Sequence, residues 1–179
     1  ATTSVTDASG LILGTVTVDA LNLITDGSVT QTGALTVSGL TNIDADGDDD
    51  GTDSAVTLTQ AANDFGGAVS VTDGGAAVSI TDASALVLGT VNANSLTLIT
   101  DGAITQSGAL TVATTTTIDA DSDDDANNAV TLTNAANDFT GAVSIDDGAT
   151  TSVTDASGLI LGTVTVDALN LITDGSVTQ

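Results

Sequence analysis

Apolar residues along this chain fall at every second position, in short runs broken by Asp, Gly, Ser and Asn. Val16-Thr17-Val18, Leu35-Thr36-Val37 and Val56-Thr57-Leu58 carry the pattern. Alternation at period two marks a strand with one buried face, and β-branched Thr suits the outward position. Counted from Asp7, apolar residues stand at Leu11, Leu13, Val16, Val18, Leu21 and Ile24; counted from Asp26, they stand at Val29, Leu35, Val37, Leu40 and Ile43. This counting makes Val16 equivalent to Leu35, Val18 to Val37, Leu21 to Leu40 and Ile24 to Ile43. Each step therefore carries three short strands.

The steps nest inside a longer period. Residues 1–31 recur letter for letter as 149–179, and residues 80–106 are a looser copy of 5–31. The chain reads as a tandem array of units of roughly 74 residues, at about 5–79, 80–152 and a partial 153–179, and such a period identifies a repeat architecture. Asp7, Asp26, Asp46, Asp64, Asp82, Asp101, Asp121, Asp138, Asp155 and Asp174 keep a shorter beat of about 19 residues within it. Three short strands per beat cannot bury their inner face alone; stacked coils can. The predicted fold is all-β, a right-handed parallel β-helix (β-solenoid) running continuously through 1–179. It has about 19 residues and three strands per coil, and four coils per unit. A string of antiparallel sandwiches is the competitor, but the beat is too short for one and buried aromatics are scarce.

Charge narrows the function. All 24 acidic residues are Asp, and Lys, Arg, His and Glu are absent, so the formal net charge is −24. Nucleic-acid binding needs cationic side chains to replace counterions, which excludes it, and anionic membrane surfaces are excluded on the same ground. No apolar run reaches the ~18 residues of a membrane span, so no membrane insertion is expected. High charge alone would point to disorder, but a hydrophobic content of 41% and a mean hydropathy of +0.34 point to a folded body with charged corners. Without His or Cys there is no Ser-His or Cys-His pair, and no enzyme is expected. The two aromatics, Phe65 and Phe139, sit in a repeated Ala-Ala-Asn-Asp-Phe segment, which reads as core or corner packing.

The corners carry the remaining chemistry. Thr-Asp-Gly recurs at Asp26, Asp73, Asp101 and Asp174, and Thr-Asp-Ala-Ser at Asp7, Asp82 and Asp155. An Asx-turn explains them, with the carboxylate accepting the N–H two residues on. If the beat stacks, these Asp form a column whose neighbours repel by roughly 0.9 kcal/mol even in water. A sharper motif is the acidic loop holding Asp44, Asp46, Asp48, Asp50 and Asp53, with its counterpart Asp119, Asp121, Asp123 and Asp125. Alternate oxygen ligands suit Ca²⁺, which takes six to eight of them. The loop opens like an EF-hand, but Thr57 stands where the bidentate Glu belongs and Ala126 replaces Gly51 in the second copy, so it is not one. These nine Asp are the candidate metal ligands, with Ca²⁺ as the candidate ion. Thr-x-Thr pairs such as Thr15/Thr17 and Thr131/Thr133 raise an ice-facing surface as an alternative, although their offsets from the beat shift.

The cadence of residues 96–112 (LTLITDGAITQSGALTV) and 134–145 (NAANDFTGAVSI) resembles the repeats of filamentous-haemagglutinin-like adhesins and kindred β-strand-repeat bacterial surface proteins. The resemblance spans essentially the whole chain. It implies a parallel β-helix, export to the cell surface or medium, and a role as fibre, adhesin stalk or matrix filament. The absence of basic residues departs from any glycan- or heparin-binding version of such repeats. The expected partners are other copies, through self-association into fibres or bundles, and divalent cations. The alternative is a Ca²⁺-dependent or ice-facing repeat binding module.

Overall fold

A computed structural model describes residues 1–48, 50–51, 54–72, 76–123 and 126–179. The corner at Asp73 and Gly74, and the candidate ligands Asp53 and Asp125, lie outside the described residues. Among the described residues every element is a strand and every strand pairing is parallel. The chain winds into a β-solenoid of about nine turns with about 19 residues per turn. At the usual spacing between paired strands, nine turns make a rod of about 43 Å.

Three columns of strands build the first unit. Thr2–Asp7 pairs with Ala20–Thr25, which pairs with Thr41–Asp44, which pairs with Val69–Thr72. Four strands of one unit thus stack as four rungs. Leu11–Leu13, Val29–Gln31 and Val56–Leu58 form the second column. Val16–Val18, Leu35–Val37 and Asp64–Phe65 form the third. The pleat turns alternate side chains inward, so Leu21, Leu23, Val29, Leu35, Val37, Ile43, Val56 and Leu58 are all buried.

Register corrects two details of the sequence reading. Leu21 pairs with Thr41 and Leu23 with Ile43, so the equivalence of Leu21 with Leu40 and of Ile24 with Ile43 is off by one place. A slip of one residue turns a side chain to the other face, and Leu40 is 56% exposed. The corner before Thr41 holds one residue more than the even beat allows.

The second correction concerns turn length. Ordinary turns bring together residues 19 apart, as in the Thr30 hydroxyl bonded to the Leu11 carbonyl. The turn carrying the acidic loop is longer, and there Leu35 meets Asn63, 28 residues on. The beat residue Asp64 therefore pairs with Thr36 in the third column instead of stacking on Asp46. The single expected column of Asp does not form.

The longer turn has a further effect. Ala77–Asp82 is the sequence equivalent of Thr2–Asp7, yet it lies on Val56–Leu58, in the second column. The next copy moves the same way, with Val153 on Leu132 of Asn128–Leu132. Each unit thus enters one face further round the axis, about a third of a turn.

Close stacking makes one glycine obligatory. A Cβ at Gly141 would overlap the Thr114 carbonyl of the neighbouring turn, where only backbone fits.

Candidate functional site: acidic loops and unit junctions

The acidic loop leaves the body after Thr41–Asp44, at the corner between the first and second columns. Asp44 stands at the mouth of the loop. Its Oδ1 accepts the Asp46 N–H at 3.2 Å and turns the chain. Asp46 is 6% exposed, and its Oδ2 accepts the Gly51 N–H at 3.0 Å, closing the loop on itself. Gly51 can do this because it has a φ of 78°. Asp48 caps the Asp50 N–H at 3.3 Å. The carboxylates of Asp46, Asp48 and Asp50 all lie within 4.8 Å of one another. Desolvation within the loop, together with the charges of Asp50, Asp26 and Asp46, holds the Asp48 carboxyl above its usual range against the Asp50 N–H bond.

The second loop repeats the scaffold with a variation. Asp119 accepts the Asp121 N–H at 3.1 Å, and Asp121 accepts the Ala126 N–H at 2.9 Å. Here the carboxylates within 4.8 Å are those of Asp121, Asp123 and Asp101. Asp101 belongs to a corner one turn earlier, as Asp26 does beside the first loop. Sequence spacing within one loop could not reveal it, because the approach is made by stacking. The two loops do not share a face. The first leaves the corner between the first and second columns; the second follows Thr116–Asp119, which stacks through Ser95–Thr100 and Ala77–Asp82 onto the second column.

At three described Thr-Asp-Gly corners the threonine takes part in closing the turn. At Thr25, Thr100 and Thr173 it is the Thr hydroxyl that donates to the glycine carbonyl two residues on, at 2.6, 2.8 and 2.8 Å. The Asx-turn does form at Asp82, whose Oδ1 accepts the Ser84 N–H at 2.9 Å.

Buried polar side chains, not the loops, hold successive units together. Asn63 is fully buried. Its Oδ1 accepts the Leu35 N–H at 2.9 Å and the Gln31 Nε2–H at 2.8 Å. Its Nδ2 donates to Gln31 Oε1 at 2.9 Å, to the Leu58 carbonyl at 3.1 Å and to the Thr81 carbonyl at 3.2 Å. One amide therefore ties the preceding turn, its own turn and the following turn. Asn137 repeats every bond with Leu110, Gln106, Leu132 and Thr154. Beside each Asn, Phe65 and Phe139 are fully buried, as core packing predicts. Their backbone N–H groups donate at 3.1 Å to Asp82 and Asp155, which are themselves buried. The repeated Ala-Ala-Asn-Asp-Phe segment was the signal for this clamp; only its Phe was legible.

Groove-forming features are slight. Thr117, Ile118, Ser144, Ile145, Asp146 and Thr163 line an open groove of about 320 Å³ on the outside of the rod. Its walls combine two isoleucines with three hydroxyls and one carboxylate.

A search of curated proteins and a search of solved structures each gave no match. A family described as repeats of unknown function (DUF5649) matches twice in tandem, at residues 1–72 and 75–146. With those two copies covering most of the sequence, and each corresponding to one clamp-bearing set of turns, the chain belongs to the DUF5649 repeat family.

Proposed function

We propose that this chain is a length of a long extracellular β-solenoid, serving as a fibre, adhesin stalk or matrix filament of the filamentous-haemagglutinin-like kind. The observation that carries the reading is the unbroken parallel ladder, clamped at each unit by the same buried Asn and Phe. Repeats that contact only their neighbours extend without limit, so length is the property such a sequence tunes. The composition supports a mechanical role over a catalytic one, since no basic or thiol side chain is available for proton transfer or nucleophilic attack. The uniform negative charge keeps parallel rods apart at low ionic strength, and divalent cations bridge them as it rises. Electron microscopy of the native assembly tests this. Filaments or stalks of uniform width are expected, and compact isolated particles would overturn it.

A second reading is divalent-cation binding by the acidic loops, favoured by the close approach of Asp46, Asp48 and Asp50. Calorimetric titration of Ca²⁺ into the whole chain is expected to give heat in the millimolar range, reduced by Asp46→Asn. Silence at millimolar Ca²⁺ removes this reading and leaves the fibre untouched. Because the two described loops leave different corners, bound ions would decorate the rod around its axis instead of forming one metal-bearing face.

A further inference from the structure

We propose that residues 149–179 fill a docking site that residues 1–31 of a second copy also fit, so that copies of this chain join head to tail by exchanging one segment. The two segments are identical letter for letter. The fold therefore shows how the sequence of 1–31 sits on the end of the second unit, because 149–179 is that sequence in place. Ser152 and Val153 pair with Thr131 and Leu132. The Asn137 clamp closes on the same segment. Its Nδ2 donates to the Thr154 carbonyl at 3.2 Å, and its backbone carbonyl accepts the Ala156 N–H at 2.8 Å. Beside it the Phe139 N–H donates to Asp155 Oδ1 at 3.1 Å. In the first copy of the segment the same groups are Thr6, Ala8 and Asp7.

The two copies differ in what covers them. Thr2–Asp7 is covered on one side, by Ala20–Thr25. Thr151, Val153 and Leu159 are 0–1% exposed, whereas Thr3 is exposed and Val5 and Leu11 are only half-buried. The second copy rests on the rod beneath it but carries little above. Leu169 is 41% exposed where its counterpart Leu21 is 1% exposed. Each molecule thus holds a 1–31 whose underside is open and a 149–179 secured through one interface.

Exchange conserves contacts. When 1–31 of an incoming copy replaces 149–179, the same side chains meet the same rungs, and neither packing nor hydrogen bonding separates the two occupants. Covalent attachment favours 149–179 through its effective concentration. Protein concentration offsets that advantage, and the freed segment regains chain entropy. A turn with a neighbour on one side only is also the one that opens most readily. Like charge, −24 on each chain, opposes the encounter, and salt screens it. The incoming copy brings its own 149–179 at the far end, so the contact is head-to-tail and propagates without closing. Exchange gives the fibre reading a joining step but does not rest on it, since it needs only the identity of the two segments.

The chain has no cysteine, so single introduced cysteines report placement. Ser4 is the counterpart of Ser152, which pairs with Thr131 on one side and Asn170 on the other. Whole chains carrying Ser4→Cys are mixed with whole chains carrying Thr131→Cys, warmed below the unfolding transition at raised salt, and oxidised. Paired strands hold opposite Cα atoms about 5 Å apart, within disulfide reach. A disulfide between the two variants is expected, together with oligomers that grow with concentration in light scattering. Ser4→Cys mixed with Asn170→Cys is expected to stay unlinked. A link there places 1–31 on an undisturbed 149–179 and overturns the exchange, as does a chain that stays monomeric throughout. Without cysteines, Val5→Asn is expected to abolish the oligomers and Val153→Asn to raise their yield several-fold. The first spoils the entering segment and the second loosens the occupant, so equal effects of the two overturn the proposal. Compact particles in the native assembly alongside the Thr131 link would remove the fibre reading alone.

Discussion

Asn137→Ala is expected to destabilise the second unit by about 4 kcal/mol, near the upper end of what one side chain contributes. The side chain makes hydrogen bonds to three turns, and its removal strands the Leu110 N–H and the Leu132 and Thr154 carbonyls. Each buried polar group left without a partner costs roughly 1–3 kcal/mol, and each end of the Gln106 amide loses one of its two partners, keeping the Gly108 carbonyl and the Asn134 N–H. Backbone groups in the middle of a stack have no solvent to turn to. The effect should be regional. Asn63 keeps its own clamp, and nearest-neighbour stacking in a repeat array allows one unit to loosen before another. Denaturant unfolding followed by hydrogen exchange will show an early transition in the turns around residues 110–154. An exposed comparison, Asn92→Ala, should change stability by less than about 0.5 kcal/mol. A loss below about 1 kcal/mol for Asn137→Ala would remove the clamp from this account.

Phe139→Ala carries the second large effect, about 3–5 kcal/mol. Phe139 is fully buried and is one of only two aromatics in the chain. Its ring lies in the solenoid interior and stacks on the rung of Val112, its register partner. A stack held by backbone ladders above and below collapses poorly into a hole, so most of the cavity term is retained. The Phe139 N–H bond to Asp155 would also be loosened, which couples this site to the unit junction. Phe65→Ala should cost a similar amount. The two lie in separate units with separate partners, so the double variant should be additive within about 0.5 kcal/mol. Chemical denaturation of the single and double variants measures this. Phe139→Leu should recover much of the loss, since it refills the space with an aliphatic side chain.

The acidic loops show how far a linear reading reaches. Asp46, Asp48, Asp50, Asp121 and Asp123 were picked out by alternate spacing, and all five lie in the carboxylate trios. Asp44 and Asp119, at the same spacing, each accept the N–H two residues on at the start of their loops. Asp101 joins its trio from about 20 residues away because one turn of the coil sets it there. The beat of Asp failed as a column for the same reason in reverse. Equal spacing in sequence became unequal placement once one turn in each unit was longer than its neighbours.

What the sequence by itself determined was local. Period-two alternation assigns strands and their inward residues, because the pleat leaves a side chain only two directions. Exact recurrence then demands that whatever one unit forms, the next forms as well. Which turn rests on which was decided only by tertiary structure. Ile43 could have stacked on Ile24 or on Leu23 as far as its own neighbours are concerned; the extra residue at the corner and the Asn63 bonds to three turns chose between them. Those bonds join groups as far apart as 32 residues, so no local pattern contains them. The third-of-a-turn advance of each unit, the placement of the loops around the axis and the burial of Asp82 all follow from that choice of register.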